Sequence, residues 1–172
     1  DLKGCTLLPG LFDLHAHLMF MNQDYYASMM RPQNQYLIDC MDHAQMYLRH
    51  GYTTIRDCGN NYYAGVATRD AVNRGIIQGA RIITAGKIIS PTAKGNESFG
   101  TLYWETDNPE DMYQICRTEV AKGVDFIKYM VTGAVLNEGG VPGELVTTSK
   151  EISAITTAAA SLGTYVAAHC HG

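Results

Sequence analysis

The sequence has few basic residues and no long apolar run, and both absences narrow its function. Its 13 Lys and Arg residues are outnumbered by 17 Asp and Glu residues. A net charge of −4 without a basic cluster argues against nucleic acid and anionic membranes as partners. No apolar stretch approaches the roughly 18 residues that a membrane-spanning helix requires. We therefore expect a globular protein with neither nucleic-acid nor membrane partners.

Paired cysteines and a secretory start are also missing. The five cysteines are scattered without a CxxC pair, which is typical of free thiols in a reducing compartment. The first ten residues lack a basic start followed by an apolar core, so no signal peptide is predicted. We expect a cytoplasmic protein. Because the chain begins without Met and stops just after a predicted strand, we also expect it to be a fragment of something longer.

Predicted strands and helices alternate along the whole chain. The strands are expected at 11–17, 52–57, 81–86, 124–131 and 164–169. Helical spacing of apolar residues separates most of them, with capping signals at Asn60 or Asn61, at Asn108 and at Thr148. Residues 87–107 contain Pro91 and two glycines, and they are predicted to form a long loop.

This alternation predicts an α/β fold built from right-handed parallel crossovers. Candidate reactive residues end several strands, which favours a (β/α)8 TIM barrel over a doubly wound sheet, because barrel active sites lie at the C-terminal ends of the strands. A full barrel of eight units needs about 250 residues. This chain has 172 residues, so about five β/α units are expected. Residues 9–172 would form the first part of the barrel. Residues 1–8 would form a strand from a flanking β domain or from the lead-in to the barrel.

Two His-x-His motifs at strand ends predict a metal site. Residues i and i+2 of a strand point to the same side, so His15 and His17 in "LLPGLFDLHAHL" can converge on one ion. His169 and His171 in "HCHG" repeat the spacing after the fifth strand. Each pair alone could instead consist of ordinary structural histidines. Their recurrence at successive strand ends favours metal binding.

Lys128 lies inside the apolar strand "DFIKYM", where a lysine is costly unless it is paired or chemically altered. One interpretation is a buried salt bridge to Asp57 or Asp125. In the other, nearby cations lower the pKa of the lysine and its neutral amine captures CO2. The resulting carbamate has two oxygens that could bridge two metal ions.

Five segments in order along the chain resemble the amidohydrolase superfamily, in particular its imidazolonepropionase-like and prolidase-like branch. They are "LLPGLFDLHAHL", "GYTTIRDCGN", "GARIITAGKIISPT", "GVDFIKYMVTGAV" and "YVAAHCHG". The resemblance implies that His15 and His17 bind the more buried metal. It also implies that carbamylated Lys128 bridges both metals and that His169 binds the second, so that Lys128 and His169 are catalytic.

The resemblance leaves several positions with other roles or without a counterpart. His171 and Asp57 are expected around the substrate or behind the ligands, with Arg56 and Asp57 forming an ion pair near the barrel mouth. The family takes a further histidine from the sixth strand and a proton-accepting aspartate from the eighth, and neither is in this chain. "TAKGNESFG" replaces a Gly/His-rich loop found in many relatives after the third strand.

The function implied by this resemblance is hydrolysis of a C–N bond in an amide, a lactam or a dipeptide. Two divalent ions, zinc before other metals, and CO2 as the lysine carbamate are the expected cofactors. The full-length protein is expected to be a homo-oligomer, and the fragment alone is expected to be inactive. The alternatives are a mononuclear deaminase-like amidohydrolase and a non-catalytic barrel fragment.

Overall fold

The computed structural model describes residues 1–20 and 24–171, which form an open α/β layer. The strands are β1 Leu11–Ala16, β2 Tyr52–Asp57, β3 Arg81–Thr84, β4 Ile88–Ser90, β5 Tyr103–Glu105, β6 Ile127–Met130 and β7 Val166–His169. The helices are α1 Tyr25–Met29, α2 Gln33–Arg49, α3 Ala64–Asn73, α4 Pro109–Ala121 and α5 Ser149–Ser161, with short 3-10 turns at Asn61–Tyr63 and Asn96–Phe99. None of the helices in the described residues is long and apolar enough to cross a membrane.

All strand pairs between these elements are parallel. One sheet has the order β1-β2-β3, and the other has the order β5-β4-β6-β7. Residues 85–87 separate β3 from β4, and the carbonyl of Thr84 accepts a hydrogen bond from the Asp125 amide at 2.8 Å just before β6. The two sheets therefore continue one another as a curved layer in which the C-terminal ends of β1, β2, β4, β6 and β7 share one edge.

Local sequence signals explain where several elements begin. The predicted strand at 52–57 is confirmed as β2. Helix α4 begins at Pro109 behind the Asn108 cap, and α5 begins behind a capping box in which Thr148 and Glu151 bond each other's backbone. These signals act within one helical turn, so they can be read without knowledge of the tertiary structure.

Two local predictions were wrong, and the strand expected at residues 1–8 stays a prediction. Residues 1–10 contain a turn, are exposed, and pair with none of the strands in the described residues. Residues 87–107 are not one loop: they include β4, a 3-10 turn and β5. Helix α3 is preceded by Tyr63 without a side-chain cap, and Asn60 precedes the 3-10 turn without a capping hydrogen bond, with its amide donating to Asp57.

A buried carboxylate holds the break between β3 and β4. Glu119 on α4 accepts hydrogen bonds from the Tyr63 hydroxyl at 2.8 Å, the Trp104 indole at 2.7 Å and the Lys87 backbone amide at 2.9 Å. Gly86 lies so close that a Cβ at this position would overlap the Glu119 Oε2 atom. Glu119 thus ties α4 to the point where the chain crosses from one sheet to the other.

Candidate active site

The structure brings both His-x-His motifs and Lys128 to one cavity at the C-terminal edge of the strands. The cavity has a volume of about 430 Å³, and its lining includes His15, His17, Lys128, His169 and His171. The centroid of the His15 ring lies 5.7 Å from that of the His17 ring and 6.5 Å from that of the His169 ring. Residues separated by more than 100 positions along the chain therefore meet here because parallel strands end at the same edge.

His17 is held in one orientation by the backbone. Its Nδ1 lies 3.0 Å from the Gly59 carbonyl oxygen, so Nδ1 carries the proton and donates it to that oxygen. Burial lowers the pKa of His17 to about 4, so the ring is neutral at physiological pH. The hydrogen bond leaves Nε2 as the free lone pair, which is the form of imidazole that binds metals.

Lys128 is buried on β6 with a relative exposure of 2%. Its Nζ lies 3.4 Å from His15 Nε2, and it forms no ion pair with any described carboxylate. Of the two candidate partners, Asp125 pairs with Arg69 at 2.9 Å, and Asp57 bonds to other groups. Burial lowers the pKa of Lys128. The salt-bridge interpretation of this lysine was therefore wrong.

His169 presents an unpartnered nitrogen to the site. Its Nε2 is buried without a hydrogen-bond partner among the described groups. Burial lowers its pKa to about 4, with Lys128 and His171 acting in the same direction. The His171 ring stands edge-on to that of His169 at 4.7 Å. A buried, neutral imidazole with a free nitrogen is costly unless a ligand completes it.

Asp57 does not line the cavity, and it does not pair with Arg56. Successive side chains of a strand point to opposite faces, so Arg56 instead donates to the Leu14 carbonyl at 2.7 Å. Asp57 is fully buried and accepts from Leu18 N at 3.1 Å, Asn60 Nδ2 at 3.0 Å and Thr84 Oγ1 at 2.8 Å. Burial raises its pKa to about 7. The expected Arg56–Asp57 ion pair was wrong.

Asp57 and His43 together fix the backbone just after the first histidine pair. Asp57 accepts the Leu18 N–H, and His43 Nδ1 lies 2.7 Å from the Leu18 carbonyl oxygen. Gly65 at the start of α3 packs against this carboxylate so closely that a Cβ would overlap Asp57 Oδ2. His43 was not among the predicted site residues, although it shares the buried stripe of α2 with Cys40 and Ala44 at helical spacing.

The side chains that line the cavity include the kinds of ligand that the metal ions implied by the resemblance require. Within residues 1–20 and 24–171, no three His, Cys, Asp or Glu side chains converge tightly enough to hold an ion by themselves. With Lys128 included, the cavity gathers a lysine amine and neutral imidazoles, one of which has an orphaned Nε2. Neutral imidazole nitrogens are the ligands that zinc and similar divalent ions prefer, so the residues present fit such ions.

Comparison with known proteins decides the family. The amidohydrolase family profile matches residues 6–172. The chain belongs to the amidohydrolase family. It is 26% identical over 200 residues to ochratoxinase from Aspergillus niger, a match that covers 97% of this chain and 39% of ochratoxinase. The barrel prediction is confirmed, because the α/β layer superposes on part of related barrels.

Two solved structures illustrate this similarity. A crystal structure of an amidohydrolase superposes with a TM-score of 0.86 at 28% identity, covering 99% of this chain and 45% of the other. A Xaa-Pro dipeptidase with bound methionine in its active site superposes with a TM-score of 0.81 at 29% identity, covering 95% of this chain and 43% of the other. This amidohydrolase chain spans less than half the length of the relatives it matches.

Proposed function

We propose that this chain supplies the first half of the active site of a metal-dependent hydrolase that cleaves a C–N bond in an amide, a peptide or a lactam. The observation that carries the proposal is the position of Lys128, which is buried without a carboxylate partner among the described residues and lies 3.4 Å from a histidine. The similarity to an ochratoxinase and to a Xaa-Pro dipeptidase supports this reaction class.

In this proposal, the two sides of the cavity hold different ions. His15 and His17 would hold one divalent ion and His169 would hold a second, with Lys128 lining the same cavity. Zinc is the favoured metal because the protein donors are imidazoles. When bound, such ions lower the pKa of a water molecule and polarise the scissile carbonyl.

The chain's own groups prepare these ligands. The Gly59 carbonyl fixes the His17 tautomer, and Asp57 and His43 hold the backbone of Leu18 beside it. The buried Lys128 would react with CO2 as a neutral amine: the Nζ lone pair forms a bond to the carbon of CO2, one C=O π pair moves onto oxygen, and one proton passes from the nitrogen to water. The carbamate then offers two oxygens in a cavity whose lining, among the described residues, contains no carboxylate.

The test uses the full-length protein and three variants. Mass spectrometry of the intact native protein should show one added CO2 at Lys128, and metal analysis should show two ions per chain. Lys128→Ala should lose the added mass, metal and nearly all turnover of amides and dipeptides. His15→Ala should lose metal and turnover, because removing an imidazole opens the coordination shell.

Cys58→Ser is the matched control, because Cys58 is buried next to β2 but does not line the cavity. It should retain metal and most turnover. A Lys128→Ala protein with full metal content and full activity would refute the proposal. One ion per chain without CO2 would instead favour a mononuclear deaminase-like site. The cytoplasmic location and the homo-oligomeric state stay predictions.

A further inference from the structure

We infer that the apolar wall of the cavity is a preformed subsite for a neutral apolar group of the substrate, about the size of a phenyl ring. This inference rests on the proposed hydrolysis at the same cavity. The wall lines the same cavity as the histidine cluster, and it is formed by Phe20, Phe99, Leu102, Tyr103 and Leu136. We call these five residues the apolar wall.

The apolar wall contains no charge that could balance a charged substituent. Lys128 is the only Lys, Arg, Asp or Glu among the described lining residues, and its Nζ lies 3.4 Å from His15 Nε2. The Tyr103 hydroxyl is already bonded to Asn137 Oδ1 at 3.4 Å. A charged group placed against these described side chains would lose hydration without gaining a partner from them, which disfavours it.

Two buried asparagines lock the segments that carry the apolar wall. Asn96 donates to the Glu105 carboxylate at 2.6 Å, and the Asn137 amide donates to Asn96 Oδ1 at 2.9 Å. The 3-10 turn that carries Phe99 is therefore linked to the loop that carries Leu136. A wall that is already ordered loses little entropy when a ligand binds, which favours affinity.

Aromatic packing places the subsite next to the proposed reacting bond. Phe99 is buried and stacks on Tyr26 at 5.8 Å, with Tyr103 edge-on at 6.2 Å. At the other end of the apolar wall, the Phe20 ring lies 5.4 Å from the His17 ring. A ring on this wall would thus lie directly beside the group bonded to the scissile carbon or nitrogen.

The direct test is binding of two probes of equal shape to the metal-free full-length protein, measured by calorimetry. Benzamide is neutral, whereas benzamidine is a cation. We expect benzamide to bind at least about tenfold more tightly than benzamidine, and we expect Leu136→Ala to weaken benzamide about tenfold. Leu48→Ala is the matched control, because Leu48 on α2 is 38% exposed against 39% for Leu136 and lies outside the cavity.

Equal binding of the two probes, or unchanged benzamide affinity in Leu136→Ala, would overturn the subsite. Because Phe99→Ala removes a buried ring and could unfold the loop, Phe99→Leu is used beside it, and it should reduce benzamide binding with the protein still folded. Turnover separates the two proposals. Faster cleavage of Phe-Pro than of Glu-Pro supports the subsite, whereas cleavage without preference contradicts it. Selective benzamide binding without any C–N hydrolysis supports the subsite and refutes the proposed function.

Discussion

Asp57 and Glu119 are both buried carboxylates that accept three hydrogen bonds, and neither pairs with a cation among the described residues. Their donors differ in what they hold. Asp57 accepts a hydrogen bond from the backbone N–H of Leu18, next to His17. Glu119 accepts hydrogen bonds from Tyr63, Trp104 and the Lys87 backbone at the break between β3 and β4. The same chemistry therefore supports the candidate site in one region and the continuity of the sheet in the other.

The largest expected effect is the pH dependence of stability that Asp57 causes. Its pKa is raised from 3.8 to about 7 by burial, so the folded state holds the proton more tightly than the unfolded state. The resulting stabilisation is fully present below about pH 4 and is lost as the pH rises toward 7. The free energy of unfolding of the metal-free full-length protein should fall by on the order of 4 kcal/mol across this window.

Urea unfolding at several pH values checks this effect. Asp57→Asn removes the titrating group, so the wild type should lose on the order of 4 kcal/mol of unfolding free energy relative to the variant as the pH rises from 4 to 7. Glu119→Gln serves as the comparison, since burial also raises the pKa of Glu119 but at a place remote from the histidines. Parallel curves for wild type and Asp57→Asn would show that Asp57 is not protonated in the fold.

Glu119→Ala should lower the free energy of unfolding by about 3 kcal/mol, because it leaves the Tyr63, Trp104 and Lys87 donors buried without their acceptor. Urea unfolding at neutral pH measures the loss. Metal content per folded chain should stay unchanged, since Glu119 does not line the cavity. Loss of metal at full stability would reverse the assignment of the two carboxylates.

Asp57→Ala should weaken metal binding by about tenfold, the effect typical of removing a group that orients a ligand. The physical reason is the freed Leu18 backbone next to His17. Competition with a metal chelator measures the affinity in the full-length protein. His43→Leu removes the second contact to Leu18 and should act in the same direction. Unchanged affinity in both variants would mean that the Leu18 backbone needs no such support.

The smallest effects should come from single donors. Tyr63→Phe and Thr84→Val each delete one hydroxyl that bonds a buried carboxylate, and each should cost about 1 kcal/mol of unfolding free energy. Thermal or urea unfolding resolves a change of this size. Only Thr84→Val should also alter metal affinity, because Thr84 bonds Asp57. An equal effect of both variants on metal affinity would remove the distinction between the two regions.

Signals that act locally could be read from the sequence. The α4 and α5 caps and β2 follow from a few adjacent residues. The two histidine pairs and Lys128 could be placed at one edge because parallel strands impose that geometry. Strands β4 and β5 could not be predicted from the sequence, because three residues are too few to show an alternating pattern and Pro91 between them indicates a loop.

Other features depend on which groups meet in space. The environment of Lys128 required knowing that Asp125 pairs with Arg69 and that Asp57 bonds Leu18, Asn60 and Thr84. The missing Arg56–Asp57 ion pair could have been foreseen, because neighbours on a strand face opposite sides. Residues 1–8 are predicted as a strand from their composition, but a strand also needs a partner strand, and the described residues offer them none.

The close packing of Gly65 on Asp57 and of Gly86 on Glu119 predicts which mutations each glycine can accept. Each glycine leaves the space that a buried carboxylate oxygen occupies, so even the smallest side chain would displace Asp57 or Glu119. In a library that contains every single substitution, almost every substitution of Gly65 or Gly86 should be depleted, as strongly as substitutions of Asp57 and Glu119. Selection for abundance should deplete Gly86 variants, whereas selection for function at equal abundance should deplete Gly65 variants further. Two residues without side chains would thus report which carboxylate serves stability and which serves the site.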